Sequence, residues 1–279
     1  MIFQKNRPIL TVHVGDPHVG GTTALCPPEV KLDDGGTYHA SREQLWFWEC
    51  WQRFWKDTAE LKARFGADVL VVDGGDNGEG DHHGTTQIWF VSETDQDRAI
   101  EQVYEVARVV ADEWVFVRCT EAHDGPMSAG TERRARAFAG KGWKVRKDGD
   151  RFSWWIWTGV VGGVKIQAKH QPQTMSRVPH TTDQAAARQA HYVWEEYCQA
   201  GIEPPDVAVF HHVHRKAQGW HSGIACYYVP GWQLPTAWVL KRQSTPRLEP
   251  PGGLRILCQE GDWRPFWKTY RPESRVAWR

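Results

Sequence analysis

The sequence contains no uninterrupted apolar run of about eighteen residues, so no membrane-spanning helix is expected. Its first residues, Met1-Ile2-Phe3-Gln4-Lys5-Asn6-Arg7, lack the long apolar core of a secretory signal. Six cysteines at 26, 50, 119, 198, 226 and 258 form no CxxC pair. That scatter argues against a zinc ribbon or a disulfide framework and fits reduced thiols in a cytosolic setting. There is no internal repeat and no low-complexity tract. Charge of one sign is not in excess either: 34 Lys and Arg balance 34 Asp and Glu. A protein that wraps many phosphates usually shows a basic surplus, so overall composition does not favour such a partner.

What is present is ordinary globular material. The chain has 279 residues, 41% of them hydrophobic and 24% charged. This excludes a disordered tail, a collagen and a coiled coil. A chain of this length buries roughly 75% of its unfolded surface and needs no disulfide staples. A single domain over 1–279 is expected, with 241–279 as a Pro- and Arg-rich C-terminal extension. The one unusual count is 17 Trp. Trp46, Trp48, Trp51, Trp55, Trp114, Trp154, Trp155 and Trp157 read mainly as core. Trp220, Trp232 and Trp238 could line a substrate rim.

The pattern of apolar runs predicts an α/β fold. Strands are expected at 9–14, 69–72, 114–117 and 207–210, a hairpin at 152–158 and 164–168, and further strands within 224–240. Ser41 and Gln44 read as a capping box opening a helix that runs to Phe65 and is closed by Gly66. Other helices are expected near 94–111, 129–140 and from Thr182 or Asp183 to about 200. Residues 22–40 read as loop, with Thr22 and Thr23 at a site rim.

Five of these apolar runs end in groups that bind metals or move protons. They are Asp16 and His18, then Asp76, then Glu121 and His123, then His170, then His212 and His214. In open α/β sheets, ligands bind beyond the carboxyl ends of the strands. Imidazoles mixed with carboxylates suit Mn, Fe, Zn or Ni. The donors are too many for one four-coordinate ion, and two ions sharing a carboxylate would use them well.

This motif order resembles the calcineurin-like metallophosphoesterases. Gly15-Asp16-Pro17-His18, Gly75-Asp76-Asn77, Glu121-Ala122-His123-Asp124, the lone His170 and His211-His212-Val213-His214 carry the resemblance over residues 9–215. It implies a four-layer αββα sandwich of two mixed sheets flanked by helices. It also implies a dinuclear phosphoesterase that hydrolyses a monoester or diester by attack of a metal-bridging hydroxide. Asp16, His18 and His214 would hold one ion, Asp76 would bridge, and His170 and His212 would hold the other. The expected cofactors are two divalent transition ions, manganese foremost, with Fe, Zn or Ni as alternatives. His123 would be catalytic, protonating the leaving oxygen, and Asp124 would orient it. Asn77, His82 and His83 are expected to contact substrate.

The sequence departs from the family pattern at Ala122, where an Asn ligand is usual. Glu121 could substitute if the loop turns there. His211 replaces a Gly. The style of the third motif, with Asp81-His82-His83, resembles phage-encoded members, which places the protein in the cytoplasm of a bacterium or a phage-infected host. A nucleotide or nucleic acid is a candidate substrate and a membrane is not. A nuclease, or a catalytically weakened binding module, is the alternative reading.

Charge is unevenly placed. Residues 68–101 hold nine acids and one base, Arg98. Residues 131–151 hold eight bases against three acids, and 241–279 nine against four. The basic segments could steer nucleic acid, or they could be solvated faces that balance the acids, which is the favoured reading. Asp73 and Asp81 could support ligands, and His180 could contact substrate.

Overall fold

The computed structural model describes residues 7–82, 87–89, 92–176, 181–241 and 249–271. His83 and His180 lie outside the described residues, as does the Trp238 side chain.

In chain order the elements are β1 (Ile9–Val14), β2 (Glu29–Lys31), β3 (Thr37–His39), α1 (Arg42–Phe65), β4 (Asp68–Asp73), α2 (Glu93–Arg108), β5 (Glu113–Phe116) and the short α3 (Glu121–Asp124). Then come α4 (Ala129–Gly140), β6 (Ile156–Val161), β7 (Val164–Lys169), α5 (Thr182–Gln199), β8 (Val207–Phe210), β9 (Ala217–His221), β10 (Ile224–Tyr228), the short α6 (Ala237–Leu240), β11 (Gly252–Gln259) and β12 (Asp262–Thr269). One sheet runs β12-β11-β1-β4-β5 and another β6-β7-β8-β10-β9, each mixing parallel and antiparallel pairs. Strands β2 and β3 make a small ribbon within the segment expected to be loop.

Alternating residues explain the layering. Every residue of β1 is buried, as expected for a strand covered on both faces. Leu10, Val12 and Val14 face a cluster with α1, α2 and α4, while Ile9 joins Leu70, Val72, Val115, Ile166 and Val209 between the two sheets. On the far face of the second sheet, Ala185, Ala186 and Ala190 of α5 pack on Phe210 and Tyr228. The result is the helix–sheet–sheet–helix order.

Helix α1 begins as the sequence implies. Ser41 Oγ accepts from Gln44 N at 3.3 Å, and Gln44 Oε1 accepts from Ser41 N at 2.8 Å. Gly66 closes the helix with φ 56°, a left-handed geometry that costs a residue with a Cβ. The aromatic excess resolves here. Trp51, Trp55 and Trp232 are almost fully buried, and Trp51 meets Trp232 edge-on at 4.8 Å. Trp232 is thus a core residue and not part of a rim, whereas Trp220 is 55% exposed on β9.

Three boundaries differ from expectation. Gly159 lies inside β6, and only Gly162 and Gly163 make the hairpin turn. β9 is a strand that alternation did not reveal. The expected C-terminal extension instead supplies β11 and β12, with β11 antiparallel to β1 at the centre of the first sheet. Its arginines and prolines masked an alternating pattern in which Leu254, Ile256 and Cys258 point between the sheets.

Candidate metal centre

The five motif strands deliver their carboxyl ends to one edge of the sandwich. β1, β4 and β5 are mutually parallel neighbours, as are β7 and β8. Beyond the sheet the loops after β1 and β4 continue to pair. Asp16 N donates to Gly75 O at 2.8 Å, His18 N to Asp76 O at 3.1 Å, and Val19 N to Asn77 O at 2.9 Å. This lays Asp16, His18 and Asp76 side by side. From the second sheet, His212 N points back at the Asp16 carboxylate at 3.2 Å.

The backbone is strained where the donors sit. Asp16, His18, Asp76, His212 and His214 all have positive φ, from 46° to 69°. L residues avoid this region, and each such residue typically costs on the order of 1 kcal/mol or more. Strain at these positions persists only because the surrounding structure holds it. Gly75, with φ 87°, shows how: a Cβ there would stand 2.5 Å from Cys119 Cβ. Gly74 must be bare for a different reason, since a Cβ would meet the His211 ring at 2.2 Å.

The donors form overlapping groups. Asp16, His18 and His214 place ligand atoms within 4.8 Å of one another, and so do Asp76, His170 and His212. Asp76 also groups with His18 and His123, so its carboxylate lies between the two sets. His18 Nε2 faces His214 Nε2 at 3.1 Å, and His214 Nε2 is 3.5 Å from Asp16 Oδ1.

Three imidazoles are held from behind. His170 Nδ1 donates to Gly74 O at 2.7 Å, and His123 Nδ1 to Glu79 O at 2.6 Å. A carbonyl only accepts, so both rings carry their proton on Nδ1 and present Nε2 to the centre. His18 Nδ1 lies 3.1 Å from Glu79 Oε2, the carboxylate–imidazole arrangement that raises the basicity of a metal-facing nitrogen.

The electrostatics fit divalent cations. Asp16 and Asp76 are buried, and no Lys or Arg pairs with either among the described residues. Burial opposes their ionisation, but His214 beside Asp16, and His170 and His123 beside Asp76, hold both well below the usual carboxylate range. Burial likewise opposes charge on His170, and Asp76 overrides it, pushing the imidazole up to about 9. His170 Nε2 stands 3.1 Å from Asp76 Oδ2, a pairing of imidazole nitrogen and carboxylate oxygen in which a divalent ion could replace the proton.

The structure separates the remaining expected residues. Glu121 is exposed and accepts from Met127 N at 3.0 Å, so it does not join the donors. Residues 121–124 form a helical turn, which carries the Glu121 side chain outward. Ala122 is exposed too and offers no ligand. Asp124 does not orient His123. Its buried carboxylate takes Arg134, Thr131 and Cys119, and the Glu79 carbonyl holds the imidazole instead. Asn77 is fully buried and does not face an open site. Its amide donates to Asp73 at 2.7 Å and its oxygen accepts from Tyr104 at 2.7 Å. Asp73 thereby braces the loop that carries Asp76. His82 lies at the centre's edge, with Nε2 3.3 Å from Glu79 and its ring 4.2 Å from that of His123. Asp81 is exposed. His211 is buried in place of the usual Gly, 3.9 Å from Asp16 Oδ2, and burial pushes its pKa down to about 4.

Two contributors were not legible. Glu79 sat in the acidic run at 68–101 outside any motif, yet it is 1% exposed and held by His18, His82 and Gln233. Thr120 donates to Asp76 Oδ1 twice, from N at 3.1 Å and from Oγ1 at 2.8 Å. No family model matches the chain, and no curated protein matches it. Solved structures do resemble it. They include a Vps29 complexed with zinc from Entamoeba histolytica, at 11% identity over 94% of this chain and 99% of that one, with a TM-score of 0.40. An archaeal phosphodiesterase matches at 9% identity over 93% and 99%, TM-score 0.42. A predicted phosphoesterase from Streptococcus pneumoniae matches at 10% over 95% and 91%, TM-score 0.34. Vps29 and phosphoesterases are therefore the kind of neighbour found, and the likeness concerns the fold alone.

Proposed function

We infer that the chain is a metal-dependent phosphoesterase. The observation that carries this is the placement of Asp76 between two donor sets, Asp16/His18/His214 and Asp76/His170/His212, on strained backbone at one edge of the sandwich. When bound, two divalent ions, manganese foremost, would polarise the ester, lower the pKa of an attacking water and offset charge on the phosphoryl oxygens.

The chain's own residues supply orientation and proton handling. Burial and the neighbouring His18 push His123 down to about 4, so at neutral pH its Nε2 carries a lone pair. An arriving phosphate anion favours protonation of that nitrogen, and the imidazolium can then give the proton to the leaving oxygen. The Glu79 carbonyl keeps the ring in register throughout. Thr120 holds one oxygen of Asp76, leaving the other toward His170 and His123. The basic segment at 131–151 does not argue for a nuclease. Arg133 and Arg134 pair with Asp97, Arg136 with Glu132, Lys141 with Glu101 and Arg146 with Glu113.

The test is a turnover panel with added Mn: bis-p-nitrophenyl phosphate, p-nitrophenyl phosphate, then single-stranded and duplex DNA. Hydrolysis of at least one ester is expected, with about two ions per chain by metal analysis. Protein that neither retains metal nor turns over any ester with Mn would overturn the reading and favour a binding module.

A further inference from the structure

A second polar site lies away from the metal centre, between the outer side of α1 and the β11–β12 hairpin. Here a cavity of about 490 Å³ is lined by Asp57, Glu60, Arg64, Arg255, Phe266 and Lys268, among others. Arg255 decides its character. The residue is 4% exposed, and its Nε and Nη1 are buried without a hydrogen-bond partner. The guanidinium carbon stands over the Phe54 ring at 5.0 Å. The acid that could neutralise it, Asp57, is taken by Lys268 at 2.6 Å. Tyr270, whose ionisation feels both Arg255 and Asp57, also buries an unpartnered hydroxyl.

A buried cation is normally paired, because an ion removed from water loses its solvation. Desolvation indeed pulls the Arg255 pKa down. Register places the group deliberately. Arg255 pairs with Phe266 across the β11–β12 ladder, so both project from the same face toward α1. An anion entering the cavity would meet the guanidinium fork, with Arg64 at the lining and an aromatic wall at Phe266. Guanidinium groups suit the planar or tetrahedral oxygens of carboxylate and phosphate, which they bind bidentately.

We propose that the cavity between α1 and the β11–β12 hairpin is a binding site for a small oxyanion, a carboxylate or phosphate with a flat apolar body, held by Arg255 against Phe266. The volume suits a small organic molecule rather than a macromolecule. The site is independent of the metal centre and of the reaction inferred there.

The experiment is calorimetric titration of the full-length protein with phenylphosphonate and, separately, benzoate, at constant ionic strength. Two species are compared first: the natural chain and Asp76→Asn. Saturable binding of at least one probe should persist in Asp76→Asn, which separates this site from phosphonate capture by metal. Arg255→Met should weaken that binding at least tenfold while melting as a folded protein. Should Arg255→Met fail to fold, two exposed positions decide. Glu60→Gln removes a negative charge at the lining and should tighten binding a few-fold, and Arg64→Ala should loosen it a few-fold. The proposal is overturned if neither probe binds, if binding is lost in Asp76→Asn, or if Arg255→Met folds and binds unchanged. It is equally overturned if Glu60→Gln and Arg64→Ala both leave the affinity where it was.

Discussion

Two regions of this protein concentrate charge, and they do so in opposite ways. The interface between α2 and α4 gathers Glu93, Asp97 and Glu101 against Arg133, Arg134 and Lys141. Most of these side chains are partly exposed, they sit on relaxed helices, and each acid finds a base. The metal centre gathers Asp16, Asp76 and Glu79 against imidazoles only, buried, on backbone with φ near 50° at Asp16 and Asp76. Density of charge is the same clue in both places. What differs is whether the compensating charge belongs to the protein. At α2–α4 it does, through ion pairs that tie the two helices together. At the strand ends no Lys or Arg supplies it among the described residues, and under the proposed function divalent ions would.

Substitutions can break or sharpen that contrast. The largest effect is expected for Asp76→Asn, which removes the carboxylate charge and the second oxygen from a residue shared by two of the donor groups. Mn-dependent ester hydrolysis should fall to background in a steady-state assay while the far-UV spectrum stays native. His123→Asn should retain bound metal yet lower kcat by roughly 10²–10⁴-fold, the usual worth of a positioned proton donor. Retained turnover in either variant would show that the centre is wrongly assigned.

Arg134→Met tests the boundary between the two regions, because Arg134 joins half-buried Asp97 to buried Asp124. Stranding the Asp124 carboxylate should cost about 3–5 kcal/mol in urea denaturation. If Asp124 acted mainly on His123, the loss would appear instead in kcat with stability intact. Glu79→Gln should weaken metal binding about 10–100-fold, measured by competition with a chelator, since it removes the carboxylate charge behind His18. Arg133→Ala should be smallest. An exposed pair of this kind is worth about 0–1 kcal/mol, and neither turnover nor metal content should change.

Much of the centre was legible because its signals are local. A strand that stops at Asp16-Pro17-His18 or His212-Val213-His214 announces both its end and its chemistry. Five such ends in one α/β chain must meet wherever the strands run parallel. Glu79 and Asp124 show the limit. Both are acids near a motif, and local pattern cannot say which will be buried or what will face it. Glu79 became a support because the loop after β4 pairs with Val19 and turns its carboxylate toward His18. Asp124 was drawn away by Arg134, ten residues further on in α4. Glu121, one residue from Ala122, could reach the centre only if the loop turned there; the loop does turn, as a single helical turn, and that turn carries the side chain outward.

The tryptophans and the C-terminal strands make the same point for the fold. Periodicity assigned the face of α1 that bears Trp51, because spacing along one helix depends only on neighbours in the chain. That Trp232 would meet Trp51, or that β11 would lie beside β1 across more than 240 residues, depends on contacts between distant segments. Residue type, strand ends and helix caps are properties of short stretches, and they established the α/β class and nominated the donor set. Which carboxylates are buried, which imidazole nitrogen faces the centre and why Arg255 stands unpaired were decided by packing, since desolvation and partner choice arise only when remote segments close on one another.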